Sequence, residues 1–216
     1  MIKILISGFE PFGGSSINPT ERLVEEIRHD SFQGAEIRTI LLPVHYDECA
    51  EILLQEMRAY GPDAVIACGV AGGRTAITPE RIAVNIKDIP PESTISDNRG
   101  ARPQDELIDP DGPDGLFSSL PIRLMVNRLK EAGIPASVSN TAGTYICNNT
   151  MYAILNEIRI QQLTAIGGFV HFPASTEMAV EKPGLPTLSH ETMLDALRVI
   201  VQSTIDEYGN QFSQTS

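Results

Sequence analysis

A cysteine, a histidine and a glutamate in this chain have the chemistry of a nucleophilic site. Cys147 lies in the stretch Ser139–Leu155, where a short apolar run and a turn of small residues lead into a segment with helical spacing. It stands where that helix should begin, so its thiol would meet unpaired backbone N–H groups and the positive end of the helix dipole. Both favour the thiolate, which is the reactive form. On position alone, however, a small buried hydrophobe is the commoner role of such a cysteine.

A nucleophilic cysteine needs a base within hydrogen-bond reach and a third group that orients the base. Of the four histidines, His171 alone directly follows a predicted buried strand, and Pro173 keeps the chain extended beyond it. A hydrogen-bonded structural histidine is an equally good interpretation there. Glu80 precedes an apolar segment, where it either orients the histidine or forms a surface pair with Arg81. The residues by themselves favour the surface pair.

Two glycine-rich loops follow predicted strands, at Gly8–Gly14 and Gly69–Arg74. Neither matches a dinucleotide-binding or P-loop pattern, so a phosphate cradle is not indicated. Phe9 and Phe12 bring apolar bulk to the first loop and suit a small, flat, uncharged group, although ordinary packing beneath the loop explains them equally well. With no HExxH motif and no close Cys/His cluster, we predict neither a metal site nor a cofactor.

The elements that must position these residues alternate along the chain. Predicted strands cover Ile2–Ser7, Glu36–Leu42, Ala64–Cys68, Ile82–Ile86, Pro135–Ser139 and Thr164–Phe169. Predicted helices begin at Asn18-Pro19 and at Cys147, and cover Tyr46–Tyr60, Leu120–Ala132 and Ser189–Tyr208. This alternation predicts an α/β domain with a mainly parallel, twisted sheet and helices on both faces. Because sites form where parallel strands end, we expect both loops, Cys147 and His171 along one edge of the sheet.

Composition bounds the class of protein. The chain has 216 residues and a formal net charge of −12, which fits one domain over 1–216 and argues against binding to nucleic acid or anionic lipid. A long irregular excursion is expected at about 87–120 and a frayed polar tail at about 209–216. Three well-separated cysteines form no disulfide framework, and Cys49 and Cys68 are expected to pack in the core. Without a signal-peptide pattern or a membrane-spanning apolar run, we expect a cytoplasmic protein.

With these residues in view, the chain resembles the pyrrolidone carboxyl peptidases, or pyroglutamyl peptidases type I, a family of cytosolic cysteine peptidases. Four blocks carry the resemblance, and it extends from Met1 to about Ile200. The blocks are Ser7–Gly14, Gly72–Arg74 with Ile77–Arg81, Ser139–Asn148, and the shorter Gly168–Pro173, which is similar to the family's histidine segment.

The resemblance implies a single-domain three-layer α/β/α sandwich and a catalytic triad. Cys147 would be the nucleophile, His171 the base and Glu80 the group that orients His171. The implied reaction removes an N-terminal pyroglutamyl residue from a peptide through an acyl-enzyme. The family resemblance also implies a homo-oligomer, often a tetramer.

The resemblance also implies a substrate pocket. Phe9 and Phe12 would contact the pyroglutamyl ring, and Asn18 and the backbone near Ile146 would assist. Aromatic walls with a few polar groups suit a small neutral lactam. One departure lies close by, because Val70 stands where many relatives have glutamine.

A second departure is the loop at 86–98, which is longer than is usual in the family, and the arginine common there has no clear counterpart. Two alternatives from other classes remain open. One is a nucleoside phosphorylase-like enzyme, since similar sheets host that chemistry. The other is a non-catalytic small-molecule-binding module. Alkylation of Cys147 separates these alternatives from the peptidase, because only the peptidase must lose its activity when this thiol is blocked.

Overall fold

The structure, a computed structural model, describes residues 1–180 and 182–213, and gives 211–213 as backbone only. The strands are β1 Ile2–Phe9, β2 Ala35–Leu42, β3 Ala64–Val70, β4 Thr78–Pro79, β5 Ile82–Val84, β6 Gly115–Phe117, β7 Ile166–Phe172, β8 Ala174–Ser175 and β9 Thr187–Leu188. The helices are α1 Pro19–Ile27, α2 Tyr46–Tyr60, α3 Ile122–Glu131, α4 Ile146–Ile160 and α5 His190–Ser213, with a short 3-10 helix at Thr176–Ala179.

A five-stranded sheet forms the centre, in the order β2-β1-β3-β7-β4. The first four strands run parallel, and β4 pairs antiparallel with β7 at the edge. Strands β1, β3 and β7 are almost wholly buried, which explains their nearly continuous apolar runs. The predicted α/β class with a mainly parallel sheet is confirmed.

Helices cover both faces of this sheet and divide the core in two. Helices α1, α3 and α5 pack on one face, where Cys68 also points. Helices α2 and α4 pack on the other face with Cys49 and the ring of Phe169. Both cysteines lie fully in the core, as expected. None of the helices in the described residues is long and apolar enough to cross a membrane.

The helix ends follow local signals in the sequence. Asn18 caps α1 through a hydrogen bond from the Thr20 amide, and Pro19 occupies the first turn, where no amide hydrogen is needed. Helix α2 ends at Gly61, whose φ of 61° is left-handed and suits glycine. Within α2, Leu53 and Met57 are buried as expected, but Ile52 faces solvent, so its predicted inward position is wrong.

The excursion at 87–120 is irregular for most of its length, but it is fastened to the body of the fold. Its strand β6 pairs with β5. In the first half of the excursion, the buried Asp97 carboxylate accepts hydrogen bonds from the backbone amides of Arg99, Ala101 and Tyr46. Asn98 donates to the Glu10 carboxylate and to the Pro11 carbonyl, at 2.8 and 3.0 Å. The loop is thus tied to the first glycine-rich turn.

Two strand predictions are corrected by the structure. The segment Pro135–Ser139 is not a strand of the sheet and makes only isolated bridges, Ile77 to Ala136 and Glu80 to Ser139. Pro135 and Pro79 lack amide hydrogens, so a continuous ladder cannot form between these segments.

The late strand is Ile166–Phe172 rather than Thr164–Phe169, so His171 lies inside the strand and not after it. The pairing of β3 with β7 continues to Val70 opposite Phe172 and carries the histidine with it. At the other end of the chain, α5 extends to Ser213, beyond its predicted end at Tyr208. The last three residues of the predicted frayed tail, 214–216, lie outside the described residues.

Asn148 fastens the start of α4 to β5, which generates a prediction about stability. Its buried amide accepts from the Val84 amide and donates to the Val84 and Ile86 carbonyls, at 2.9, 2.8 and 3.0 Å. Asn148→Ala should lower the free energy of unfolding by about 2–3 kcal/mol, because buried backbone groups lose their partners. Urea denaturation measures the change. The exposed helical Asn127→Ala carries the same propensity change and should stay within about 0.5 kcal/mol of the parent. Equal effects of the two substitutions would contradict the fastening role.

Candidate active site

The candidate nucleophile lies at the start of a helix, as predicted. Cys147 is the second residue of α4 and is partly exposed. Tyr145 is the N-cap residue and makes no side-chain cap, so the amides of Ile146 and Cys147 have no partner within the helix. These donors and the helix dipole together favour a negative charge that develops beside the thiol.

A glycine lets the thiol approach the sheet. A methyl group placed on Gly69 would lie 3.1 Å from Cys147 Sγ and 2.7 Å from the Phe169 ring. Gly69 is opposite His171 in the parallel pairing of β3 with β7. Neighbouring strands are about 4.8 Å apart. The thiol therefore sits over the strand position next to the histidine.

The candidate base and its orienting group are joined directly. His171 Nδ1 and Glu80 Oε1 are 2.7 Å apart, and both side chains are almost fully buried. An ionised Glu80 fixes the tautomer with hydrogen on Nδ1, which leaves Nε2 as the ring atom able to accept a proton. The Phe169 ring packs against the imidazole with 4.8 Å between centroids and holds its orientation.

Glu80 does not form the surface pair with Arg81 that the residues by themselves favour. Arg81 donates instead to the Asn140 side chain at 2.8 Å. The partner of Glu80 is Arg74, whose Nη1 donates to Glu80 Oε1 at 2.6 Å and also to Thr78 Oγ1 at 2.5 Å. Arg74 lies in a block that the sequence singles out, but nothing in the sequence pairs it with a glutamate six residues on.

Burial governs the ionisation of this cluster. It raises the pKa of the Cys147 thiol to about 12, and a smaller opposing effect comes from the charge of Arg74. Desolvation thus opposes the preference for thiolate that the helix start predicts. Burial likewise lowers the pKa of His171, against the pull of Glu80. For Glu80, burial acts to raise the pKa, but the hydrogen bond and charge interaction with His171 leave it lowered. The resting cluster is a neutral thiol, a neutral imidazole and a carboxylate.

A narrow pocket opens beside the thiol. Its free volume is only about 10 Å³, against roughly 300–1,000 Å³ for pockets that hold drug-sized molecules, so it can admit only a small group and only if its walls move apart. Its walls include all four predicted pocket residues. The four predicted residues are Phe9, Phe12, Asn18 and Ile146. The other wall residues are Val44, Gly69, Val70, Tyr145 and Cys147.

Phe9 and Phe12 have different roles in this wall. Phe9 is buried and packs against Phe169 with 6.4 Å between ring centroids, so the packing interpretation also holds for it. Phe12 is only partly buried and lies 6.1 Å from the Tyr145 ring across the pocket mouth. Phe12 is therefore the aromatic ring best able to adjust to a ligand.

Asn18 uses most of its hydrogen-bonding capacity within the loop and at the start of α1. Its Oδ1 accepts from the Thr20 amide and hydroxyl, and its Nδ2 donates to the Glu10 carbonyl at 3.0 Å. One Nδ2 hydrogen remains for a ligand. Asn18 thus holds the loop that carries Phe9 and Phe12 and offers a single donor to the pocket.

Sequence reasoning missed two wall side chains, those of Val44 and Tyr145. Tyr145 sits in a matched block directly before the cysteine helix, which is the only signal that could have found it, while Val44 carries none. Val70 presents an apolar side chain to the pocket.

The two loop arginines point elsewhere. Arg99 pairs with Glu48, and Arg102 donates to the Pro91 carbonyl at 3.2 Å and to other loop carbonyls. Among the described residues, no group of His, Cys, Asp or Glu side chains is placed to hold a metal ion.

The approach at Gly69 generates a prediction. Gly69→Ala should lower the free energy of unfolding by about 1–3 kcal/mol, because the methyl group overlaps the buried Phe169 ring. It should also slow alkylation of Cys147 by iodoacetamide, because the thiol is pushed from the side of His171. Thermal unfolding and mass-spectrometric alkylation rates measure both effects. The control is Gly72→Ala, where a methyl group meets nothing within 4 Å. Indistinguishable variants would show that the close approach at Gly69 has no importance.

The family model described as pyroglutamyl peptidase matches residues 2–207. A pyrrolidone-carboxylate peptidase of Thermococcus onnurineus is 44% identical over 204 residues, which covers 94% of this chain and 99% of the relative. One from Oceanobacillus iheyensis is 43% identical over 201 residues, covering 93% and 98%.

Solved structures agree with the sequence comparison. A mutant pyrrolidone carboxyl peptidase from Pyrococcus furiosus superposes with a TM-score of 0.91 at 38% identity, covering 95% of this chain and 99% of that one. Pyroglutamyl peptidase I from Bacillus amyloliquefaciens gives 0.89 at 36% identity, covering 94% and 97%. With the nearly full-length match, the shared fold and the cysteine placed at a helix start beside a histidine and a small pocket, this chain belongs to the pyroglutamyl peptidase family.

Proposed function

We propose that the protein is a cysteine peptidase that removes an N-terminal pyroglutamyl residue from peptides. The observation that carries this function is the Cys147 thiol between a small apolar pocket and the buried His171–Glu80 pair, in a chain of this family. The pocket would take the pyroglutamyl ring, and the peptide after it would leave on the His171 side.

The pocket suits a five-membered lactam in size and polarity. Phe9 and Phe12 would lie against the ring, and Val70 would add a third apolar wall. The lactam amide needs polar partners, which the backbone near Ile146 and the remaining Asn18 donor would supply. Entry of the ring would displace the partly buried Phe12 side chain, because the empty space is narrow.

The proposed chemistry begins with attack of Cys147 Sγ on the pyroglutamyl carbonyl carbon. His171 Nε2 takes the thiol proton as the bond forms, because the thiol is neutral at rest. The amides at the start of α4 stabilise the oxyanion. His171 then gives the proton to the leaving amine as the C–N bond breaks, and a thioester remains. Water, deprotonated by His171, hydrolyses the thioester and restores the thiol.

Glu80 keeps this base in the working tautomer. Its hydrogen bond to Nδ1 would strengthen as the imidazole becomes charged, since Glu80 is buried and already ionised. The other two candidate functions receive less support. A phosphorylase needs donors for phosphate, but the pocket beside Cys147 has apolar walls. A non-catalytic binding module would not need a hydrogen-bonded histidine beside a thiol, so the His171–Glu80 pair favours an enzyme.

We also propose that the protein is cytoplasmic and forms a homo-oligomer, a tetramer by family resemblance. The acidic balance and the absence of a disulfide framework support the first proposal. Light scattering after size-exclusion chromatography tests the second: a mass of one chain would refute it.

The first test replaces the nucleophile. Cys147→Ser should reduce hydrolysis of a fluorogenic pyroglutamyl amide by at least about 10³-fold, because the hydroxyl is a poor substitute for the sulfur. The control is Cys68→Ser, a buried cysteine on the opposite face of the sheet, which should keep turnover within a few-fold per folded molecule. Circular dichroism reports folding. Near-normal turnover by Cys147→Ser would refute the nucleophile assignment.

The second test is specificity. The enzyme should cleave pyroglutamyl amides and leave prolyl, glutaminyl and glutamyl amides uncleaved, because the last three bring a charged amine to an apolar pocket. Phe12→Ala should raise KM for the pyroglutamyl amide roughly 10-fold or more through lost apolar contact. Phe117→Ala, which removes a ring 70% exposed on β6, should leave KM unchanged. Steady-state rates on the four amides decide, and efficient prolyl cleavage by the parent would disprove the pocket assignment.

A further inference from the structure

We propose that Arg74 is a positioning residue of this site: its guanidinium fixes the Glu80 carboxylate and keeps His171 neutral at rest. The inference rests on the proposed function, within which Arg74 acts through Glu80 rather than on the substrate. It adds a fourth residue to the three that the sequence predicts.

The guanidinium joins three segments that meet at the site. From the loop after β3, Arg74 donates to Glu80 Oε1 at 2.6 Å, to Thr78 Oγ1 at 2.5 Å and to the Thr141 carbonyl at 3.4 Å. Thr78 belongs to β4, and Thr141 to the turn that leads into α4. A planar fork with fixed N–H directions can meet these acceptors together, which a lysine ammonium cannot do.

Arg74 and His171 share one carboxylate oxygen. Arg74 Nη1 lies 2.6 Å and His171 Nδ1 lies 2.7 Å from Glu80 Oε1. The position of that oxygen, and through it the direction of the imidazole, is thus set by the guanidinium. Without Arg74 this oxygen loses one of its two short hydrogen bonds, and the carboxylate that orients the ring is held less firmly.

The charge balance depends on the same contact. Glu80 has no exposed side-chain surface, while 30% of the Arg74 side chain is exposed. A buried carboxylate needs a compensating positive charge. When Arg74 supplies it, His171 can stay neutral and accept the thiol proton. When Arg74 is removed, protonation of His171 becomes more favourable, because the imidazole is the other group that can place a positive charge beside Glu80, and a protonated ring cannot serve as base.

The charged and titratable groups around His171 are few. Glu80 and Arg74 face it from the loops on either side of β4. Cys147 of α4 lies over Gly69, the strand position paired with His171, and Cys49 of α2 lies near that thiol. Strand β3 contributes only Gly69 on this side. Burial is the largest effect on both groups, and it lowers the pKa of His171 and raises that of Cys147. Glu80 raises both pKa values, and Arg74 makes a smaller contribution that lowers both. One cation therefore favours both the free base and the developing thiolate.

The test is the pH dependence of kcat/KM for Arg74→Gln, Arg74→Lys and Arg81→Gln. The acidic limb of the parent reports protonation of His171 and should lie below the ordinary histidine value, since burial lowers that pKa. Arg74→Gln should move this limb to higher pH by up to about one unit and reduce kcat about 10- to 100-fold at neutral pH. Arg74→Lys keeps the charge, so it should keep the limb in place with a lower kcat.

Arg81→Gln is the matched control. Arg81 is next to Glu80 in sequence, but its guanidinium bonds to Asn140 and not to the carboxylate, so the substitution removes a nearby positive charge without removing a contact to Glu80. It should leave both the limb and kcat unchanged. An acidic limb of Arg74→Gln that coincides with the parent's overturns the inference, as does a loss confined to KM, which would make Arg74 a substrate contact.

Titration of the His171 ring by NMR, assigned with His171→Gln, gives the same answer without turnover. Its pKa should rise in Arg74→Gln and not in Arg81→Gln. This separates the two proposals: a parent that fails to cleave pyroglutamyl amides refutes the function, while the ring titration still decides the role of Arg74. An unchanged ring pKa in Arg74→Gln refutes that role. Should Arg74→Gln not fold, the Arg74→Lys profile decides, because a limb shifted away from the parent's would contradict a role through charge.

Discussion

The arrangement of this site depends on a single buried carboxylate. Glu80 has lost its contact with water, and its ionised form persists because an imidazole and a guanidinium meet the same oxygen. Desolvating a carboxylate costs several kcal/mol before such partners are counted. The short antiparallel strand β4 makes this arrangement possible. Its pairing of Thr78 with His171 brings Glu80 to the imidazole ring and Arg74 to the carboxylate. Without β4, the end of β7 would have β3 as its only neighbouring strand in this sheet, and no strand would carry Glu80 to His171.

The scaffold separates a rigid part from an adjustable part. The thiol, the imidazole and Gly69 are held by two buried strands and the start of a helix, so their relative positions depend on core packing. The pocket mouth depends instead on loops. Asn18 and Asn98 hold the turn with Phe12 from two sides, one from a helix cap and one from the long excursion. The candidate chemical groups thus lie on strands and a helix start, while the mouth of the pocket is built from loops.

The sequence predicts more of the scaffold than of the charge network. Helical spacing after Ser139 predicts Cys147 at a helix start, and the alternation of strands and helices predicts both glycine-rich loops, Cys147 and His171 at one edge of the sheet. Adjacent residues in an extended segment point to opposite sides, so Glu80 and Arg81 diverge although they are neighbours in sequence. Arg74 reaches Glu80 only because the chain reverses between β3 and β4. Such a reversal leaves no periodic signal, and neither does the desolvation of the Cys147 thiol.

The three cysteines show what distinguishes a reactive site in this fold. Burial raises the pKa of all three thiols, that of Cys49 to about 11 and that of Cys147 to about 12, and that of Cys68 also lies well above its ordinary value. Acidity therefore does not single out Cys147. What does is its surroundings: free helix amides at one side, a neutral imidazole held at the next strand, and an open pocket in front. In the proposed mechanism the thiol is neutral at rest, so the nucleophile forms only when His171 accepts its proton. The direction of that base, set by Glu80 and Arg74, then governs reactivity more than the intrinsic acidity of the sulfur.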